Sequence, residues 1–314
     1  MREEPTLAHN DISDDSAPPV LVDAHLHLQE EVLEGHVEGV IARARAEGVR
    51  CMVSNGTHPG DWQWNLQIAE GHPDVVPAFG VHPWFVEDLP GDWLDRLEAL
   101  LRSVPSGVGE VGIDACADAK WGRSPFPTDS SLLVLTSAGK GLRPHFARQE
   151  AVFRAQLDLA GRLDRTVTIH CVRASGRLLG ILKDIGPMPR GFLLHAFGGP
   201  AEMVPQFARL GAFFSVGGNV LDARHRRARA ALRVIPPDRL LLETDAPTMV
   251  PPPGFRPFSI PADDGRVWNE PANLPAIARG VADLLSLSPD ELVNLTGANA
   301  QRFFGELLCH TRAS

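Results

Sequence analysis

The chain has 314 residues, room for one large α/β domain or two smaller ones, and its 44% hydrophobic content is ordinary for a globular core. A formal net charge of −9 argues against a protein that coats or slides along nucleic acid, but leaves room for an enzyme that handles one phosphodiester in a local pocket. There is no run of 18 apolar residues to span a membrane, and the four cysteines are scattered without a CxxC pair, so a reduced cytoplasmic setting is expected, with a nuclear one also compatible.

In chain order, residues 1–19 are acidic and polar with no apolar core, and read as a disordered tail rather than a signal peptide. The first strand, Val20–Ala24, lies within LVDAHLHL, which places His25 and His27 two apart. In an extended strand such a pair shares one face and could chelate a metal ion, although taken alone a structural histidine pair is the commoner explanation. Further apolar, β-branched runs follow at Val49–Ser54, Val75–Val81, Gly107–Ile113, Thr166–His170, Phe192–His195, Ala212–Val216 and Leu240–Thr244. Segments of helical length and composition separate them: Val32–Glu47, Trp62–Gly71, Trp93–Arg102, Gln149–Leu163, Leu178–Ile185, Ala201–Leu210 and Arg224–Val234. Eight strands alternating with helices, each strand continuously apolar, predict a parallel sheet and suit a closed (β/α)8 TIM barrel. A doubly wound open sheet is the alternative; no G-x-G-x-x-G follows the first strand.

Two stretches interrupt the repeat. Residues 115–148 form a Ser-, Pro- and Gly-rich insertion with five cationic residues (Lys120, Arg123, Lys140, Arg143, Arg148) against Asp118 and Asp129. It reads as a solvated insertion, with a protein partner as the functional alternative. The second is the Pro-rich segment Pro247–Pro271, after which Ala272–Leu285 and Pro289–Phe304 are expected to be closing helices. One domain over 20–305 and a tail over 306–314 complete the layout.

Polar residues concentrate at the predicted strand ends: His25 and His27 on the first, Glu110 and Asp114 on the fourth, His170 on the fifth, His195 on the sixth, Glu243 and Asp245 on the eighth. In a parallel barrel these ends converge on the face where active sites form. Imidazole and carboxylate suit Zn, Mn, Fe or, with more oxygen ligands, Mg. The four histidines with two of these carboxylates exceed the need of one catalytic zinc and suffice for two ions sharing a carboxylate, an arrangement suited to phosphodiester hydrolysis.

VDAHLHL, GVHPW (Gly80–Trp84), GEVGID (Gly109–Asp114), TIHCVRA (Thr168–Ala174), LLHAFGG (Leu193–Gly199), LLLETDAP (Leu240–Pro247), WNEPANLP and GANAQRFFG occur in that order. The set resembles the TatD family of metal-dependent hydrolases and deoxyribonucleases, within the amidohydrolase-like barrels. The resemblance implies two divalent ions (Mg, Mn or Zn). His25, His27, Glu110 and Asp245 would hold the first, and Glu110 would bridge to a second held also by His170 and His195. Asp245 would orient an attacking water or take its proton, while His82 and Arg173 would contact substrate phosphate. It further implies cleavage of DNA, often of single strands from the 3′ end, by a protein expected to be monomeric.

Departures from the family pattern bear on the substrate. The strand-five histidine is followed in the family by Arg two residues on and then Asp; here Arg173 is shifted by one and Ala174 stands next. Gly198 takes the place of a serine, and the insertion is similar to a eukaryotic, fungal-type branch. Two other readings stay in play. One is a two-metal amidohydrolase acting on a small C–N or ester substrate, although many such barrels use a lysine where this chain has Glu110. The other is a catalytically weak barrel serving as an interaction protein. Glu243 and Asp23 are expected to support neighbouring ligands and Asp114 to anchor a loop.

Overall fold

The eight apolar runs form a single parallel sheet whose strands neighbour one another in sequence order. The computed structural model describes residues 20–116, 146–262 and 264–309. The strands are β1 (Leu21–Leu26), β2 (Val49–Asn55), β3 (Val75–Phe79), β4 (Gly107–Asp114), β5 (Val167–Val172), β6 (Phe192–Leu194), β7 (Ala212–Val216) and β8 (Leu240–Leu242). The sheet closes between its first and last members: Asp245 N donates to His25 O at 3.0 Å and His27 N to Ala246 O at 2.7 Å. The (β/α)8 barrel, not the open sheet, is therefore the fold.

The helices that return the chain are α1 (Val37–Ala46), α2 (Trp62–Gly71), α3 (Trp93–Ser103), α4 (Phe146–Arg162), α5 (Ser175–Ile185), α6 (Val204–Arg209) and α7 (Arg226–Leu232), followed by α8 (Leu274–Leu285) and α9 (Pro289–Phe304). Composition would start the first at Val32; it is split because Gly35 takes φ +76°, leaving a 3-10 turn at Glu31–Leu33 before α1. α9 starts as its sequence predicts: the Ser288 hydroxyl accepts from Glu291 N, and the Glu291 carboxylate accepts from Ser288 N, a capping box with Pro289 in the first turn.

Residues 1–19 and most of the 115–148 insertion, with any partner it takes, lie outside the described residues. The expected insertion boundary moves, because α4 already begins at Phe146. At the other end, residues 306–309 form a short helical turn rather than starting a tail.

Apolar residues near the strand starts, among them Val22, Val76, Leu193, Phe213 and Leu241, cluster with Phe303 and Phe304 of α9. The Phe213 and Phe303 ring centroids are 4.9 Å apart. That packing fills the N-terminal end of the barrel and leaves its polar residues to the opposite, C-terminal end. No helix among the described residues is long and apolar enough to cross a membrane.

Candidate metal centre

The centre is built on Glu110, buried in β4, whose two carboxylate oxygens face two separate groups. Oε2 lies 3.5 Å from His25 Nε2 and 3.3 Å from His27 Nε2. The same two nitrogens lie 3.6 and 3.5 Å from Asp245 Oδ1. Oε1 lies 2.7 Å from both His170 Nδ1 and His195 Nε2, which are 3.2 Å from each other. Ring stacking joins the two halves, with the His25 and His195 centroids 3.9 Å apart. All six residues expected from the sequence as metal ligands thus meet in one place.

Whether the groups fit an ion can be judged from the ligand atoms. His25 Nε2 and His27 Nε2 approach to 3.1 Å, two nitrogens aimed at one point. With metal–nitrogen bonds of about 2.1 Å, atoms around one ion sit roughly 3 to 3.4 Å apart. On the Oε2 side the spacings run from 3.1 to 3.6 Å, near that size. On the Oε1 side His170 Nδ1 and His195 Nε2 stand 3.2 Å apart, while their 2.7 Å contacts with Oε1 are hydrogen-bond distances that would open around an ion. Three clusters able to hold an ion occur among the described residues: His25–His27–Asp245, His25–Glu110–His195 and His82–Glu110–His170. The third does not follow from the sequence, because it places His82, expected at the substrate, among the candidate ligands.

Electrostatics are those of a charge cluster. Burial alone would raise the Glu110 pKa, but His195, His82 and His170 hold it well below the usual carboxylate range. Burial opposes protonation of His170, yet Glu110 and Asp114 outweigh it and raise the pKa to about 9. His27 and His195 are likewise raised, against burial, by the carboxylates facing them. His82 goes the other way: burial pushes its pKa down to about 3. Its Nδ1 accepts from Trp84 N at 3.2 Å, so the neutral ring carries its proton on Nε2, 3.6 Å from Glu110 Oε1.

Other side chains fix these rings. His27 Nδ1 lies 2.7 Å from Asn55 O. His170 Nε2 lies 3.4 Å from Asp114 Oδ2, which also accepts from Trp84 Nε1 at 2.7 Å. Asp114 does anchor the loop after β4, accepting from Cys116 N at 2.6 Å, but its contact with His170 makes it part of the site. His195 Nδ1 and Glu243 Oε1 are both buried without a hydrogen bond and stand 3.9 Å apart, while Ser215 Oγ holds the other Glu243 oxygen. Asp23 accepts from Thr244 N and Oγ1 at 2.9 and 2.5 Å, tying β1 to the end of β8.

Backbone form places several of these groups. Arg173, Ala196 and Asp245, each just past a strand end, have φ of +50°, +45° and +50°, a region that costs a non-glycine residue on the order of 1–3 kcal/mol. For Asp245 the bond to His25 O helps hold that turn. Arg173 itself is exposed at the rim, outside the buried cluster. Trp62 is buried, with its indole N–H donated to Gly80 O at 2.9 Å. The segment after β8 is pinned by Asn269 Nδ2 to Thr244 O (2.8 Å) and by Asn273 to both Phe258 N and O (3.0 and 2.9 Å).

The family profile described as TatD related DNase matches residues 22–305. The chain belongs to the TatD family. It is 30% identical over 288 residues to the metal-dependent hydrolase YabD of Bacillus subtilis, covering 91% of this chain and 99% of that protein. It is 32% identical over 287 residues to the 3′-5′ ssDNA/RNA exonuclease TatD of Edwardsiella piscicida, covering 90% and 99%. Among solved structures, the TatD homolog YjjV from Escherichia coli superposes with a TM-score of 0.73 at 26% identity, covering 90% of this chain and 97% of that one. This chain is thus a TatD-type metal-dependent hydrolase with a TIM barrel. Its departure at Gly198 is not forced by crowding, since an added Cβ would meet only Ala196 O at 3.8 Å and Ala228 Cβ at 4.0 Å.

Proposed function

We propose that this TatD-family chain hydrolyses phosphodiester bonds of DNA, trimming single strands from the 3′ end, with two divalent ions held across Glu110. The observation that carries the reading is the division of Glu110: one oxygen toward His25 and His27, the other toward His170 and His195. A carboxylate so placed suits a bridge between two ions, with Asp245 completing one side. When bound, the ions (Mg, Mn or Zn) would lower the pKa of water at the site and neutralise charge on the phosphoryl oxygens.

The chain's own residues would do the rest. Asp245 accepts a hydrogen bond from the Thr248 hydroxyl at 3.2 Å and faces both His25 and His27. It would orient the attacking water and accept its proton. His82, neutral and protonated on Nε2, can donate to a phosphate oxygen. Arg173 at the rim would meet a phosphate with its guanidinium fork.

Metal-stripped protein supplied with Mg, Mn or Zn is expected to shorten end-labelled single-stranded DNA, and Asp245→Asn to abolish shortening, with metal content measured alongside because Asp245 is also a candidate ligand. Cleavage that survives Asp245→Asn removes Asp245 from the chemistry; two bound ions without cleavage of any DNA overturns the phosphodiesterase reading.

A further inference from the structure

An acidic chain of net charge −9 carries one short, densely basic run: Arg224, Arg226, Arg227, Arg229 and Arg233 lie within ten residues, with His225 among them. The barrel dictates where it sits. α7 follows β7, so its first residues stand on the same end of the barrel as the metal centre. Ala228 of α7 packs toward Gly198, three residues past His195. Upstream, a Cβ on Gly217 would touch Glu243 O and Met249 Sδ, so this segment runs directly beside the end of β8.

A further arginine joins the run. Leu221 and Phe255 both close on Gly280, within 2.7 Å of where a Cβ would stand. That shared neighbour brings the loop after β7 against the loop after β8, and Arg256 follows Phe255. Arg224 is neutralised by Asp222, which accepts from its Nε at 2.9 Å and its Nη2 at 2.6 Å. Arg226 and Arg227 are exposed, and among the described residues no carboxylate pairs with either of them or with Arg256.

Unpaired guanidinium groups on the same end of the barrel as the site, in a chain of net charge −9, match a polyanion, and a guanidinium fork grips phosphate through two parallel hydrogen bonds. We infer that Arg226, Arg227 and Arg256 form a rim that binds the sugar–phosphate backbone of a single strand beyond the bond being hydrolysed. The inference rests on the nuclease reading and adds that affinity grows with strand length. Each phosphate held there releases counterions, so binding of a long strand weakens with salt, by roughly 0.7 in the log–log slope per phosphate.

The test uses the full chain in chelator, so that binding is read without cleavage. Fluorescence anisotropy with a labelled oligothymidine of roughly 20 nucleotides, long enough to leave the site and cross the rim, is measured against KCl. It is done for wild type, for Arg226→Gln/Arg227→Gln, for Arg256→Gln, and for Arg233→Gln at the far end of α7. The double variant is expected to raise Kd about tenfold and to flatten the slope by about 1.4, because two phosphates are no longer neutralised. Arg256→Gln should act in the same direction. Arg233→Gln, with the same charge change, should not. With metal restored, kcat/KM on bis(p-nitrophenyl) phosphate should change less than twofold in every variant. Unchanged affinity and slope in the rim variants, an equal loss with Arg233→Gln, or no binding by wild type would each overturn the rim. Strand binding without cleavage would overturn the nuclease reading and leave the rim standing.

Discussion

Trp84 donates its indole N–H to Asp114 at 2.7 Å, on the same oxygen that lies 3.4 Å from His170 Nε2. With Nδ1 of that ring turned to Glu110, Asp114 sets how His170 faces the metal centre. Asp114→Asn should therefore weaken metal binding about 10- to 100-fold. Calorimetric titration of the stripped protein with Mn or Zn checks this, and equal affinity in the variant would remove Asp114 from the site.

Metal binding should be strongly pH-dependent. Without metal, His170 titrates near 9, and His27 and His195 are also raised. Below those values a proton occupies nitrogens that an ion needs, so affinity falls as pH falls and binding releases protons. The metal-free protein is expected to show the opposite trend. A histidine whose folded pKa is raised lends stability that is full below its unfolded value near 6.5 and is lost as pH climbs through about 9. Calorimetry in buffers of differing ionisation enthalpy reads the proton release; thermal melts with and without metal read the two slopes. Parallel slopes would contradict the charge cluster.

Gly112 pairs with His170 across β4 and β5, and a Cβ there would fall 2.0 Å from His170 O, with φ at +150°. Gly112→Ala must push β5 away, so a loss of at least about 2 kcal/mol is expected together with the metal site. Urea unfolding measures the first and metal content the second. A stable variant with full metal content would show that the strands can part without disturbing His170.

Glu270 is buried and accepts from Arg43 Nε at 2.7 Å, joining α1 to the segment after β8. Removing the arginine leaves a carboxylate inside without its partner. Because Arg43 is itself 41% exposed, the full cost of breaking a buried pair does not apply, and Arg43→Ala is expected to lose about 2 kcal/mol. Arg43→Ala/Glu270→Gln should recover part of it, and a double variant no more stable than the single would contradict a charge-based cause.

The barrel was legible because strands covered on both faces carry largely apolar runs, and five of the six candidate ligands because they stand at or just past the end of such a run, whereas Glu110 lies inside β4. Boundaries failed where one residue's backbone decides the matter. Leu240–Thr244 reads as strand through Thr244, but regular pairing stops at Leu242 as the chain enters the turn that gives Asp245 its positive φ. α5 begins at Ser175, ahead of the expected Leu178, a start the sequence hides because Ser175 and Gly176 are weak helix formers and the apolar periodicity begins only at Leu178. Asp114 and Glu243 sit in sequence like any acid near a strand end. What distinguishes them is the imidazole each faces from another strand, and spacing along one chain does not encode that.

His25 and Asp245 come from the two ends of the sheet, and the bond between their backbones is also the one that shuts the barrel. During synthesis, a chain that has emerged only as far as β7 holds five of the six candidate ligands on a sheet with an open edge. The sixth arrives with the segment that removes that edge. The segment that completes the candidate metal centre is therefore also the one that completes the fold.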